Sequence, residues 1–137
     1  NFNMPSLFVA DDDELFKRVL KITLIKYPLF KNVLYFESGL PLINYLKKNY
    51  NDRSNLPDVL FIDLGMSASC GWDVLKFLDL YLPAFAKRIS IYVISVSIDP
   101  RDRERALRYD FVKDYLYKPL QKEQLVAVAN DAKAMAQ

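Results

Sequence analysis

Apolar residues recur along this chain in two rhythms. Short continuous runs at Leu7 to Ala10, Val33 to Phe36, Val59 to Ile62, Ile91 to Ile94 and Tyr115 to Tyr117 read as five strands. Runs without polar alternation suit strands covered on both faces, as in a parallel sheet flanked by helices. Between them the spacing lengthens to a helical period. Leu15, Val19 and Ile22, with Leu20 and Leu24, predict a first helix, and Leu40, Ile43 and Leu46 a second. Three further helices are expected over Trp72–Tyr81, Pro100–Arg108 and Gln121–Ala136, the first of these three beginning just after Gly71. Asp99 followed by Pro100 reads as an N-cap and a first helical residue. The polar stretch from Asn49 to Pro57 is the most loop-like segment.

Strand and helix thus alternate five times, which predicts an α/β fold with a doubly wound five-stranded parallel sheet, because parallel crossovers are right-handed. In such sheets ligands bind outside the carboxyl ends of the strands, beside the point where strand order reverses. Asp11, Asp12 and Asp13 follow the first strand, Asp63 the third, Ser97 the fourth, and Lys118-Pro119 the fifth. Carboxylates gathered on one edge repel one another, and a divalent cation relieves the repulsion. Magnesium suits oxygen ligands and needs only one or two carboxylates. Asp63, alone after the most hydrophobic strand, is the candidate nucleophile, one that could form an acyl phosphate, with Asp11 and Asp12 holding the metal. Lys118 and Ser97 supply the ammonium and hydroxyl that stabilise charge on a phosphoryl group. Asp13 and Glu14 suit the start of the first helix, Asp13 as its cap.

With 137 residues, 52% apolar and 26% charged, the chain is expected to be one domain with a real core, spanning 1–137 with the core at about 6–130. A net charge of +2 gives no reason to expect nucleic acid or an anionic membrane as partner. The chain has no histidine, which removes histidine-dependent nucleophiles and zinc hydrolases. Its one cysteine, Cys70, can form no internal disulfide, and its three glycines lack the spacing of a phosphate-binding loop. No apolar stretch is long enough for a membrane span and no signal-peptide core is visible, so a cytoplasmic location is expected.

Over about Ser6 to Ala129 the chain resembles the receiver domain of two-component response regulators. The resemblance rests on Phe8-Val9-Ala10-Asp11-Asp12-Asp13-Glu14, Leu60-Phe61-Ile62-Asp63-Leu64-Gly65-Met66, Gly71-Trp72-Asp73-Val74-Leu75, Val93-Ile94-Ser95-Val96-Ser97 and Tyr115-Leu116-Tyr117-Lys118-Pro119, in family order and spacing. It implies a flavodoxin-like fold with strand order 2-1-3-4-5. It implies that Asp63 accepts a phosphoryl group from a histidine kinase or phosphotransfer protein in a phosphorelay, without enzymatic turnover. Asp12, Asp63 and the Gly65 carbonyl would bind Mg2+, with Asp11 acting through water. Ser97 would hydrogen-bond the phosphoryl group, Lys118 would pair with it, and Tyr115 would turn inward as the hydroxyl moves. The Lys118-Pro119 bond would be cis.

The output surface of the family includes the fourth helix, where Arg101, Arg105 and Arg108 line one side and suit an acidic downstream protein. Such a regulator would act without an output domain of its own, by protein binding, with dimerisation on phosphorylation left open and no direct contact with DNA. Two other readings compete: an interaction module that keeps the fold without the chemistry, and a small magnesium phosphatase using Asp11. Ser67, Ser97 and Ile98 depart from the usual pattern, and Ile98 is expected to screen the site from water or a small phosphodonor.

Overall fold

The computed structural model describes residues 4–66 and 70–136, so Ser67 lies outside the described residues. Five strands, β1 (Ser6–Ala10), β2 (Lys31–Phe36), β3 (Val59–Asp63), β4 (Ser90–Ser95) and β5 (Val112–Tyr117), alternate with α1 (Glu14–Lys26), α2 (Gly39–Asn49), α3 (Gly71–Tyr81), α4 (Pro100–Leu107) and α5 (Lys122–Met135). All pairings are parallel, in the order β2-β1-β3-β4-β5. The expected α/β architecture is therefore present. No helix among the described residues is long and apolar enough to cross a membrane.

Strand alternation divides the core into two layers. Phe8, Leu60, Ile62 and Val93 face α2 and α3 through Leu42, Leu46, Leu75 and Leu78. Leu7, Val9, Val59 and Phe61 face α1 and α5 through Phe16, Leu20, Leu125 and Val128. The three central strands are buried along their whole length, as their continuous apolar runs require.

Three expectations are corrected by the packing. β2 is an edge strand whose residues alternate between half-buried and exposed, with Leu34 42% exposed, so its apolar run does not mark coverage on both faces. Its start is irregular: Asn32 has a φ of 50°, and the register against β1 shifts between Ser6 and Phe8. In α1 the buried stripe is Phe16, Lys17 and Leu20, while Leu15, Val19 and Ile22 are 69%, 50% and 61% exposed. Two interleaved sets share the 3.6-residue period, and the one containing a lysine faces inward because Glu14 and Glu37 meet that lysine at 3.0 and 2.8 Å. In α2, Leu42 and Leu46 are buried and Leu40 is exposed. The segment from Asn49 to Pro57 carries a short 3-10 turn at Arg53–Asn55, opened by the Asp52 side chain accepting from the Ser54 N–H.

Register fixes what meets at the carboxyl edge. Ala10 pairs with Ile62, so Asp11 and Asp63 emerge side by side. Ser95 pairs with Tyr117, and the Ser95 carbonyl then accepts from the Lys118 N–H at 2.8 Å, which brings the lysine to the same edge.

Candidate functional site

The three acids after β1 have different surroundings. Asp13 caps α1, its carboxylate accepting from the Phe16 N–H at 3.0 Å. Asp11 is fully buried, and its Oδ1 accepts from the Asp13 N–H at 2.9 Å. Asp12, half-buried at the rim, lies in a cluster with Asp11 and Asp63 in which one oxygen from each falls within 4.8 Å of the others.

Asp63 closes β3 and is 6% exposed. Gly71, the first residue of α3, lies against its backbone: a Cβ there would stand 2.4 Å from the Asp63 carbonyl oxygen and 2.9 Å from Leu64 Cα, so only glycine fits. The helix head is thereby pressed onto the residue that carries the carboxylate.

Lys118 reaches into this cluster with its side chain 7% exposed. Its Nζ lies 2.6 Å from Asp11 Oδ2, 3.5 Å from Asp63 Oδ1 and 4.0 Å from Asp13 Oδ2, and rests 4.6 Å from the centre of the Phe16 ring. One ammonium cannot balance Asp11, Asp12 and Asp63. Burial, then the charge of Asp11, push the Asp63 carboxyl up from its ordinary 3.8 to about 6, against the opposing pull of Lys118 and a hydrogen bond from the Gly65 backbone. Asp11 Oδ2 pairs with this ammonium at the shortest of these distances. An excess of negative charge and three convergent carboxylates, those of Asp11, Asp12 and Asp63, form a donor set that fits Mg2+.

Comparison with known proteins decides the family. A family model described as the response regulator receiver domain matches residues 7–130. The chain belongs to that family. Solved receiver structures share its fold. One is a two-component response regulator from Cytophaga hutchinsonii, at 24% identity and TM-score 0.83, covering 94% of this chain and 96% of that one. Another is the signal receiver domain of the response regulator NarL from Mycobacterium tuberculosis, at 21% identity and TM-score 0.74, covering 96% and 97%. A third is the Mn2+-bound form of response regulator Rcp1, at 18% identity and TM-score 0.70, covering 96% and 94%. No curated protein matches.

Within this receiver domain, Asp11, Asp12, Asp63 and Lys118 come together as expected, and the Lys118-Pro119 bond is cis. Ser97 is engaged elsewhere: its hydroxyl donates to Asp102 Oδ2 at 2.7 Å, in the first turn of α4. Tyr115 is 2% exposed, and its hydroxyl donates to the Ser97 carbonyl at 3.1 Å. The aromatic ring is thus inside while the Ser97 hydroxyl points to α4. Ile98 is 85% exposed, which does not support the expectation that it screens the site.

The arginines of α4 have individual partners. Arg101 pairs with its own cap residue Asp99 at 2.8 Å, Arg105 lies 3.9 Å from the centre of the Trp72 ring, and Arg108 is exposed. Sequence reasoning missed Arg103, which donates to the Tyr115 carbonyl at 3.2 Å, and Asp102. It also missed Lys17 and Phe16. A lysine inside an apolar helical stripe with an acid three residues before it was the available signal for Lys17. The contacts of Asp102 and Phe16 depend on tertiary placement and have no local signature.

Proposed function

We propose that Asp63 accepts a phosphoryl group from a phosphohistidine on a kinase or phosphotransfer protein, and that the domain signals by a phosphorylation-dependent change in protein binding. The observation that carries this reading is one pocket holding the Asp11, Asp12 and Asp63 carboxylates with the Lys118 ammonium. In the transfer, an Asp63 carboxylate oxygen forms a bond to phosphorus as the phosphorus–nitrogen bond breaks, its electron pair returns to the ring nitrogen, and the imidazole, already protonated on its other nitrogen, leaves neutral. The Lys118 ammonium, 3.5 Å from Asp63 Oδ1, neutralises part of the charge on the incoming group. Bound Mg2+ would supply Lewis-acid stabilisation of the same charge, held by Asp12, Asp63 and the Gly65 carbonyl with Asp11 behind. The Ser97 hydroxyl is the further donor, once turned toward the phosphoryl oxygens. Arg101, Arg105 and Arg108 on α4 form the surface offered to an acidic downstream partner.

Asp11 is a poor nucleophile by comparison. It is fully buried, with one oxygen on the Asp13 N–H and the other against Lys118, which weighs against a phosphatase reading. The test is mass spectrometry after incubation with Mg2+ and a phosphorylated kinase, or acetyl phosphate. A single stoichiometric adduct that is absent from Asp63→Asn is expected; an adduct retained in that variant, or steady turnover of a phosphomonoester, contradicts the proposal.

A further inference from the structure

A serine hydroxyl carries one hydrogen and can satisfy one acceptor at a time. In Ser97 that hydrogen goes to the Asp102 carboxylate at 2.7 Å, the short distance of a charge-assisted bond, while the oxygen accepts from the Asp99 N–H at 3.3 Å. Ser97 is further fixed by its own N–H, which donates to Ser95 Oγ at 3.0 Å. Tyr115 is already buried with its hydroxyl on the Ser97 carbonyl. The movable element that remains is therefore the Ser97 hydroxyl.

The helix on the other side of this bond is lightly attached. α4 is eight residues long and buries Ala106 alone. Polar contacts position the rest of it: Asp102 to Ser97, Arg103 to the Tyr115 carbonyl, and Arg105 over Trp72. A helix held in this way responds to the exchange of one hydrogen bond more readily than a helix seated on several core side chains.

We infer that Asp102 is a positioning residue that keeps the Ser97 hydroxyl committed to α4 in the unmodified protein and yields it when a phosphoryl oxygen arrives. The inference rests on the reading of Asp63 as phosphoacceptor. The exchange is non-covalent: the Ser97–Asp102 hydrogen bond breaks and a Ser97–phosphoryl hydrogen bond forms. It leaves the Asp102 carboxylate without that donor, one turn before Arg105. Charge pairing on the arginine-bearing helix then changes in step with the state of Asp63, and the phosphoryl group must compete with Asp102 for its hydroxyl donor.

The experiment is calorimetric titration of the full chain, with Mg2+ present, by trifluoroberyllate, an anionic stand-in for the phosphoryl group. The fluorescence of Trp72, the single tryptophan, serves as a second readout because its ring lies against Arg105 of α4. Asp102→Ala is expected to tighten binding about tenfold, which equals about 1.4 kcal/mol. Asp102→Asn keeps an oxygen acceptor and is expected to stay within about threefold of wild type. Glu104→Ala, which removes the same charge from the same helix, is expected to behave as wild type. In a Ser97→Ala background, Asp102→Ala is expected to change nothing, because the hydroxyl under competition is gone.

Unchanged affinity in Asp102→Ala, or an equal gain in the Ser97→Ala background or in Glu104→Ala, overturns the role of Asp102 alone. Failure of the wild type to bind, or binding undiminished in Asp63→Asn, overturns the reading of Asp63 and this inference with it.

Discussion

Replacing Asp63 by asparagine is expected to stabilise the protein, although it removes the proposed phosphoacceptor. The carboxyl sits 6% exposed beside Asp11 and is held at about 6 instead of 3.8. At about 1.36 kcal/mol per tenfold change in proton affinity, keeping it ionised at neutral pH costs about 3 kcal/mol of folding free energy. The sign follows from proton uptake. Between pH 4 and 6 the native state binds more protons at this site than the unfolded chain, so wild-type stability falls as pH rises through that window. Asp63→Asn carries no such charge, so its advantage is near zero at pH 4, partial at pH 5 and complete above about pH 6.5. For a domain of this size, about 3 kcal/mol corresponds to a rise in Tm of roughly 10 °C.

Thermal unfolding in metal-free buffer at pH 4, 5 and 7.5 checks the whole curve. Mg2+ at ten times its dissociation constant is expected to add about 1.4 kcal/mol to the wild type and less to the variant, which narrows the gap. A variant less stable than wild type at pH 7.5, or a gain that does not change with pH, refutes the electrostatic account of the pocket.

Four other variants follow from the packing and the ion pairs. Gly71→Ala, whose new methyl would meet the Asp63 carbonyl oxygen at 2.4 Å, is expected to lose about 2 kcal/mol or more in urea unfolding. Glu14→Gln combined with Glu37→Gln, which removes both anions from the Lys17 ammonium, is expected to lower stability more than Lys17→Met, which leaves two exposed carboxylates, by the same assay. Lys118→Met leaves Asp11 buried and unpaired, so it is expected to lose about 3–5 kcal/mol in metal-free buffer and to regain part of that on addition of Mg2+, as read by Tm with and without chelator.

The meeting of Asp11, Asp63 and Lys118 was legible in the sequence because strand ends in a doubly wound sheet share one edge, and each residue directly follows an apolar run. The inward face of α1 was not legible, since Leu15, Val19 and Ile22 repeat as well as Phe16 and Leu20 do, and burial of Lys17 depends on Glu37 from another element. β2 looked like its neighbours because position in the sheet, rather than composition, decides whether a strand is covered. Gly71 stood in a family motif, yet its need for a bare Cα appears only where α3 presses on the Asp63 backbone. The partner of Ser97 lies five residues away, across a loop and into a helix, where no periodicity links the two.

An open sheet ends in unpaired peptide groups, and these invite a second sheet to join. In this protein the β2 margin begins with the cationic Lys31, followed by Asn32 in the left-handed region and a slipped pairing against β1. A kinked start carrying a lysine makes that end of the border a poor template for adding strands from a second sheet.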